Sequence, residues 1–166
     1  TALLLGLMLA FELKEPGLMN RPPRKPNAPI IDKNLLIRVV TVSTMMLIGA
    51  YALFSWALAS GYSVETARTL AVNTFVFGEI FYLFNCRSLN QSMFKLGFFS
   101  NPWLLFGVVL MIVLQLLFTY IPTMNTLFGS APMAWQHWLA VVLNGLFIYT
   151  VVELEKKWRH RNHQTQ

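Results

Sequence analysis

The chain has 166 residues, 55% of them hydrophobic and only 12% charged, with a mean hydropathy of +0.52. Soluble domains usually carry about 25% charged residues, so this composition argues against a water-solvated globule and for a bilayer as the solvent. A formal charge of +6 admits nucleic acid or anionic lipid as a partner, while the lone Cys86 excludes an internal disulfide and a cysteine-rich metal site.

In chain order, Thr1 leads straight into ALLLGLMLAF with no basic region before it, so no signal peptide is read. The missing initiator Met reads as a chain cut from something longer. At 1.5 Å per residue, the run 1–11 covers about half of a bilayer's hydrocarbon core. It is read as the C-terminal half of a truncated transmembrane helix. Residues 12–34, ELKEPGLMNRPPRKPNAPIIDKN, are proline-rich and basic and cannot form one regular helix. The run 35–60 is long enough to span. A short turn, 61–68, follows, in which Ser63 can cap the next helix. The next apolar runs are 69–85, 103–121 and 135–152, each close to the roughly 20 residues a span requires. Between them lie a polar connection, 86–101, and the segment 122–134, which has two prolines and no charge. The last run opens with tryptophans, as an interfacial anchor does, and 153–166 is a charged basic tail. No internal repeat or low-complexity segment is present. The fold class is an all-α membrane protein: four full transmembrane helices in a bundle over 35–152, plus the N-terminal half-helix.

The basic residues decide the question of partner. Lys14, Arg21, Arg24, Lys25, Lys33 and Arg38 belong to the first connection, Arg87 and Lys95 to the third, and Lys156, Lys157, Arg159 and Arg161 to the tail. Only Arg68 falls elsewhere. Four crossings place these three segments on one side, which the positive-inside rule makes cytoplasmic. The charges then serve as orientation signals and as contacts to anionic lipid headgroups, and no nucleic-acid partner is expected. The expected location is integral to the plasma (inner) membrane.

Within the spans, the stretch FVFGEIFYLFN (75–85) buries Glu79 among apolar and aromatic neighbours, where an unpaired carboxylate is costly. Three readings of the residue stand side by side. It is a structural glutamate bonded to a neighbouring helix; it is shallow enough to reach headgroups; or it faces a bundle interior and holds a hard cation, or a proton, through oxygen. Gly78 beside it permits close helix approach. Asn73 and Asn85 each lie six residues from Glu79, about 600° of turn, so neither shares its face. With Gln115 and Asn144 they are read as interhelical packing groups, Asn85 being the weakest case. Serines and threonines in 41–44 can bond back to their own helix.

TALLLGLMLAFE followed by EPGLMNRPPR resembles the P-type cation-transporting ATPases, the branch that holds the calcium and sodium/potassium pumps. In that family, the sixth membrane helix leads into a loop of this proline and arginine pattern. FGEIFYLFNCRSLNQSMF is similar to the eighth helix and its exit. The resemblance covers the chain as the end of helix six and helices seven to ten. It implies that Glu79 gives an oxygen to the cation site and that Thr1 matches a site threonine, with Asn85 a weaker candidate ligand. Ala2, however, stands where the calcium pumps carry aspartate. One carboxylate fewer leaves less charge against a divalent ion, so a monovalent ion, a proton or a single divalent ion all stay open.

The resemblance further implies a parent that hydrolyses ATP with Mg through an aspartyl-phosphate in domains outside this chain. Its partners are the remaining helices and cytoplasmic domains of that parent, the 12–34 loop being the contact between the membrane and cytoplasmic parts. The chain itself carries no catalytic or cofactor-binding residue. It has no Gly-rich phosphate loop, and Asp32-Lys33-Asn34 only begins like the family's Asp-Lys-Thr-Gly motif. Asp32 is the only aspartate, and His137, His160 and His163 are scattered without carboxylate or cysteine partners. Alone, it is expected to hydrolyse nothing. The alternative is a free-standing four-span scaffold or regulatory subunit, against which stand the half-span and the missing Met. A small secondary transporter would show paired repeats and broken helices, and neither is read here.

Overall fold

The computed structural model of the chain describes residues 1–12, 33–88, 97 and 99–164. Among them lie six helices and no strand: α1 (Ala2–Leu9), α2 (Lys33–Ala59), α3 (Val64–Cys86), α4 (Pro102–Tyr120), α5 (Pro122–Phe128) and α6 (Trp135–Gln164). Helices α2, α3, α4 and α6 are each long and apolar enough to cross a bilayer. The EPGLMNRPPR motif, Asp32 and most of the 86–101 connection lie outside the described residues.

Local chemistry sets the helix ends. Ser63 Oγ accepts the Thr66 N–H at 3.2 Å, capping α3, and Glu65 complements the positive end of the helix dipole. That cap starts α3 at Val64, before the apolar run at 69 begins. Gly61, at φ 82°, closes α2: its N–H reaches Leu58 O at 3.0 Å and the Tyr62 N–H reaches Ala57 O at 3.1 Å. This paired pattern needs a left-handed residue, which glycine supplies without strain. Asn101 Oδ1 caps α4 through the Leu104 N–H at 3.0 Å, with Pro102 in the first turn. Nothing in 153–164 breaks a helix, and α6 accordingly runs through the charged tail to Gln164. Within 122–134, which the sequence presents only as a connection, Pro122 starts the seven-residue helix α5.

Helix α3 is the centre of the bundle, with buried residues on opposite faces. One face meets α1 and α4: Val76, Ile80, Leu83 and Phe84 pack with Leu5, Leu104, Val108 and Met111. The other meets α2 and α6, through clusters that join Ala67, Leu70 and Phe77 to Ala57 and Val141, and Val42 and Met46 to Ile148 and Val152. On α2 the packed positions Arg38, Val42, Met46, Leu53 and Ala57 follow helical spacing, and the opposite face stays apolar and exposed, as lipid contact requires.

Small residues set the approach of the helices. A Cβ at Gly145 would overlap the Phe81 ring, one at Gly49 the Asn144 amide and one at Gly107 the Met8 side chain. Membrane helices gain little from hydrophobic association and depend on such close contact. Gly145→Val in the full-length protein is expected to lower stability by about 1–3 kcal/mol through overpacking. Thermal unfolding in detergent checks this.

Candidate functional site

One end of the bundle gathers the charged side chains. Glu12, just past α1, accepts a forked pair of bonds from Arg87 at the exit of α3: Nη2 to Oε1 at 2.7 Å and Nε to Oε2 at 3.1 Å. Asn101 Nδ2 donates to the same carboxylate at 2.8 Å while its oxygen caps α4. Arg87 also donates to Gly97 O at 3.0 Å and to Ser100 Oγ. Glu12 thus ties three helices together. Burial pushes its carboxyl pKa up, but the bonds from Arg87 and Asn101 and the Arg87 charge outweigh that, and the net shift is downward.

A second tie joins α2, α3 and α6. Arg38 Nη2 and Nε meet Glu155 Oε2 at 2.8 and 3.1 Å. Lys156 Nζ donates to Asn85 O at 2.7 Å and lies 3.8 Å from Glu153 Oε2. Arg38, Arg87 and Lys156 are all buried. Sequence reasoning treats these three cations as headgroup contacts; the structure turns them inward onto glutamates, because a buried guanidinium or ammonium needs a paired anion.

Glu79 stands apart from this pattern. Glu12, Glu153 and Glu155 each face a cation, whereas among the described residues Glu79 has none; its Oε2 is buried with no hydrogen-bond partner, as are both Glu153 oxygens beside Lys156. It lies on the α3 stripe Val72, Phe75 and Glu79, whose spacing of three and four puts them on one face. Val72 and Phe75 on that stripe remain exposed. Gly78, next to Glu79, seats α3 against Ile148 of α6 and Met46 of α2, so the backbone carrying the carboxylate is held from behind.

Thr1 is the exposed N-cap of α1, and its side chain makes no capping bond. Its carbonyl accepts the Leu5 N–H at 3.0 Å, and Leu5 packs into the α3–α4 face. Helices α1 and α3 run parallel, pinned at one level by Glu12 and Arg87. Counted back from that pair, Glu79 lies about 12 Å along α3 at 1.5 Å per residue, and Thr1 lies 11 positions before Glu12. Among the described residues no hydrogen bond joins the two. Asn85 is turned elsewhere: its Nδ2 donates to Tyr149 O at 3.3 Å across to α6. Asn73 Nδ2 donates to Thr119 Oγ1 at 3.1 Å, joining α3 to α4. Among the described residues, no group of three His, Cys, Asp or Glu converges as a metal site, and Glu79 alone does not make one.

The sequence that builds this bundle has known relatives. The family model described as "Cation transporting ATPase, C-terminus" matches residues 1–158. The chain belongs to that family. It is the C-terminal membrane region of a P-type cation-transporting ATPase. It is 45% identical over 152 residues to "Probable cation-transporting ATPase F" of Mycobacterium tuberculosis, covering 92% of this chain and 17% of that protein. It is 37% identical over 143 residues to "Cation-transporting ATPase pma1" of Synechocystis, covering 81% of this chain and 16% of the relative. "Calcium-transporting ATPase 1" of Yarrowia lipolytica is 28% identical over 160 residues, covering 95% and 17% respectively. The chain thus spans about a sixth of the length of the relatives it matches.

In this ATPase region, the feature sequence reasoning missed is the Glu12–Arg87–Asn101 tie. Its members lie 75 and 89 positions from Glu12 in the chain, and no periodicity links them. Glu12→Gln strands Arg87 without its anion and is expected to cost about 3 kcal/mol, the low end for breaking a buried pair. Because the folded carboxyl pKa is lowered, the contribution is complete above the ordinary value of about 4.5 and is lost as pH falls through the lower folded value. Melting curves of wild type and Glu12→Gln from pH 7 to pH 3 should therefore converge at the acid end.

Proposed function

We propose that this region braces the transport helices of an ATP-driven cation pump and supplies part of its ion site through Glu79. The observation that carries the proposal is the buried, unpartnered Glu79 Oε2 on the α3 face where Val72 and Phe75 stay exposed. A carboxylate in that position needs a cation, a proton or a donor from outside the described residues. Helix packing fixes its place, so it acts as a preset oxygen ligand for a hard cation. Thr1, the exposed N-cap of α1, is the second candidate ligand; Asn85, already bonded to α6, is the weaker one. Ala2 leaves that turn of α1 without a carboxylate, and the relatives' names span cation- and calcium-transporting pumps.

The rest of the cycle belongs to the parent. ATP with Mg acts in cytoplasmic domains outside this chain. The charged end with Arg38, Arg87 and Lys156 is the cytoplasmic end by the positive-inside rule, the membrane being the plasma (inner) membrane. The two ties at that end hold the exits of α1 and α3 to α4 and α6, so that a push on the 12–34 loop reaches the ion-site helices as a unit.

Glu79→Gln in the full-length pump tests the reading. Cation-dependent phosphorylation by ATP should need at least about tenfold more cation, the scale on which even groups behind the ligands matter. Unchanged cation dependence in stably folded Glu79→Gln protein would return Glu79 to a structural role.

A further inference from the structure

The segment between α4 and α6, residues 122–134, carries no charge. It is also folded back onto the bundle. Asn125 Nδ2 donates to Phe118 O at 3.3 Å, Thr119 O at 3.1 Å and Ser130 Oγ at 2.9 Å, satisfying carbonyls at the end of α4. Gly129, at φ 59°, closes α5. The Ala131 N–H reaches Thr69 Oγ1 at 2.9 Å, and Tyr120 OH donates to Met133 O at 2.9 Å while accepting from Trp138 Nε1 at 2.8 Å. Backbone this well satisfied can lie against lipid, where water is not available to complete it.

Helix α5 is two-faced. Met124, Leu127 and Phe128 share one side and Thr123 and Thr126 the other. Leu127 is 71% exposed and Phe128 59%, although the Phe128 ring rests edge-on against Phe118 at 5.5 Å. Trp135, at the start of α6, is 72% exposed. On α4, to which Phe128 is joined by its contact with Phe118, Val113, Leu117 and Tyr120 are also exposed, as residues that a spanning helix presents to acyl chains are. Tyr120, Trp135 and Trp138 form the aromatic belt that marks a membrane boundary.

We infer that α5 is an interfacial anchor, lying in the boundary between headgroups and acyl chains at the end of the bundle remote from Arg38, Arg87 and Lys156. Its partner is the bilayer itself. The segment itself carries no charge; the nearby cation is Arg68, whose guanidinium lies against Gly129, so the apolar face of α5 and not a charge of its own sets its depth. The anchor fixes the ends of α4 and α6, and through Thr69 and Thr119 the start of α3, at a set level in the membrane.

The test is spin-label accessibility on a cysteine-free full-length ATPase, Cys86→Ser included, reconstituted in phosphatidylcholine vesicles. Labels are placed singly through Leu127→Cys, Phe128→Cys and Thr126→Cys. The ratio of collisions with oxygen to collisions with a water-soluble nickel chelate should be higher at 127 and 128 than at 126. A ratio at 127 and 128 no higher than at 126 would mean a solvated loop. Protection of 127 and 128 from both reagents would mean that protein covers the face. Each of these two outcomes overturns the anchor, and two reporter positions guard against one disruptive label.

Discussion

A charged or polar group inside a bilayer must find its partner within the protein, and the architecture of this chain follows from that demand. Helix α3 carries a series of polar groups along its length, and most of them are ties: Thr69 to the 122–134 segment, Asn73 to α4, Asn85 to α6 and Arg87 to Glu12. Packing of small residues brings the helices close enough for these bonds to form. The central position of α3 is therefore set by chemistry as well as by hydrophobic contact.

Glu79 is informative among the glutamates because no cation among the described residues faces it, whereas Glu153, whose two oxygens are also buried without a hydrogen-bond partner, has Lys156 at 3.8 Å. Every other described glutamate either faces a cation or, like Glu65, sits at a helix end near the bundle surface. Glu79 sits mid-helix with one buried oxygen unmet, on a stripe this chain leaves open. Evolution of a stable bundle alone would favour an apolar residue or a paired one. The unmet oxygen fits a residue whose partner arrives from elsewhere, as a transported cation does, and membership of the ATPase family supplies the setting.

Much of the fold was legible in the sequence because lipid simplifies the code. Runs of apolar residues, the Ser63 cap and the clustering of arginines and lysines announce four spans and their order. Helix α5 was not legible: seven residues between two prolines leave too little periodicity to separate a helix from a loop. The extension of α6 was hidden by its charges, which read as a solvated tail until Glu153, Glu155 and Lys156 are seen to turn inward. At the site, Glu79 drew notice as a carboxylate in the wrong solvent. The Glu12–Arg87–Asn101 tie gave no such signal, since its members are ordinary at their own places and meaningful only when folding brings them together.

The measurement that bears most directly on the ion-site role is a structure of the full-length ATPase held in its cation-occluded state. The account predicts a bound cation with Glu79 among its oxygen ligands, at about 2.3–2.6 Å if the ion is calcium, and with the Val72–Phe75 stripe covered by helices from outside this chain. A Glu79 carboxylate bonded instead to a protein donor, with the occluded ion held elsewhere, would contradict it.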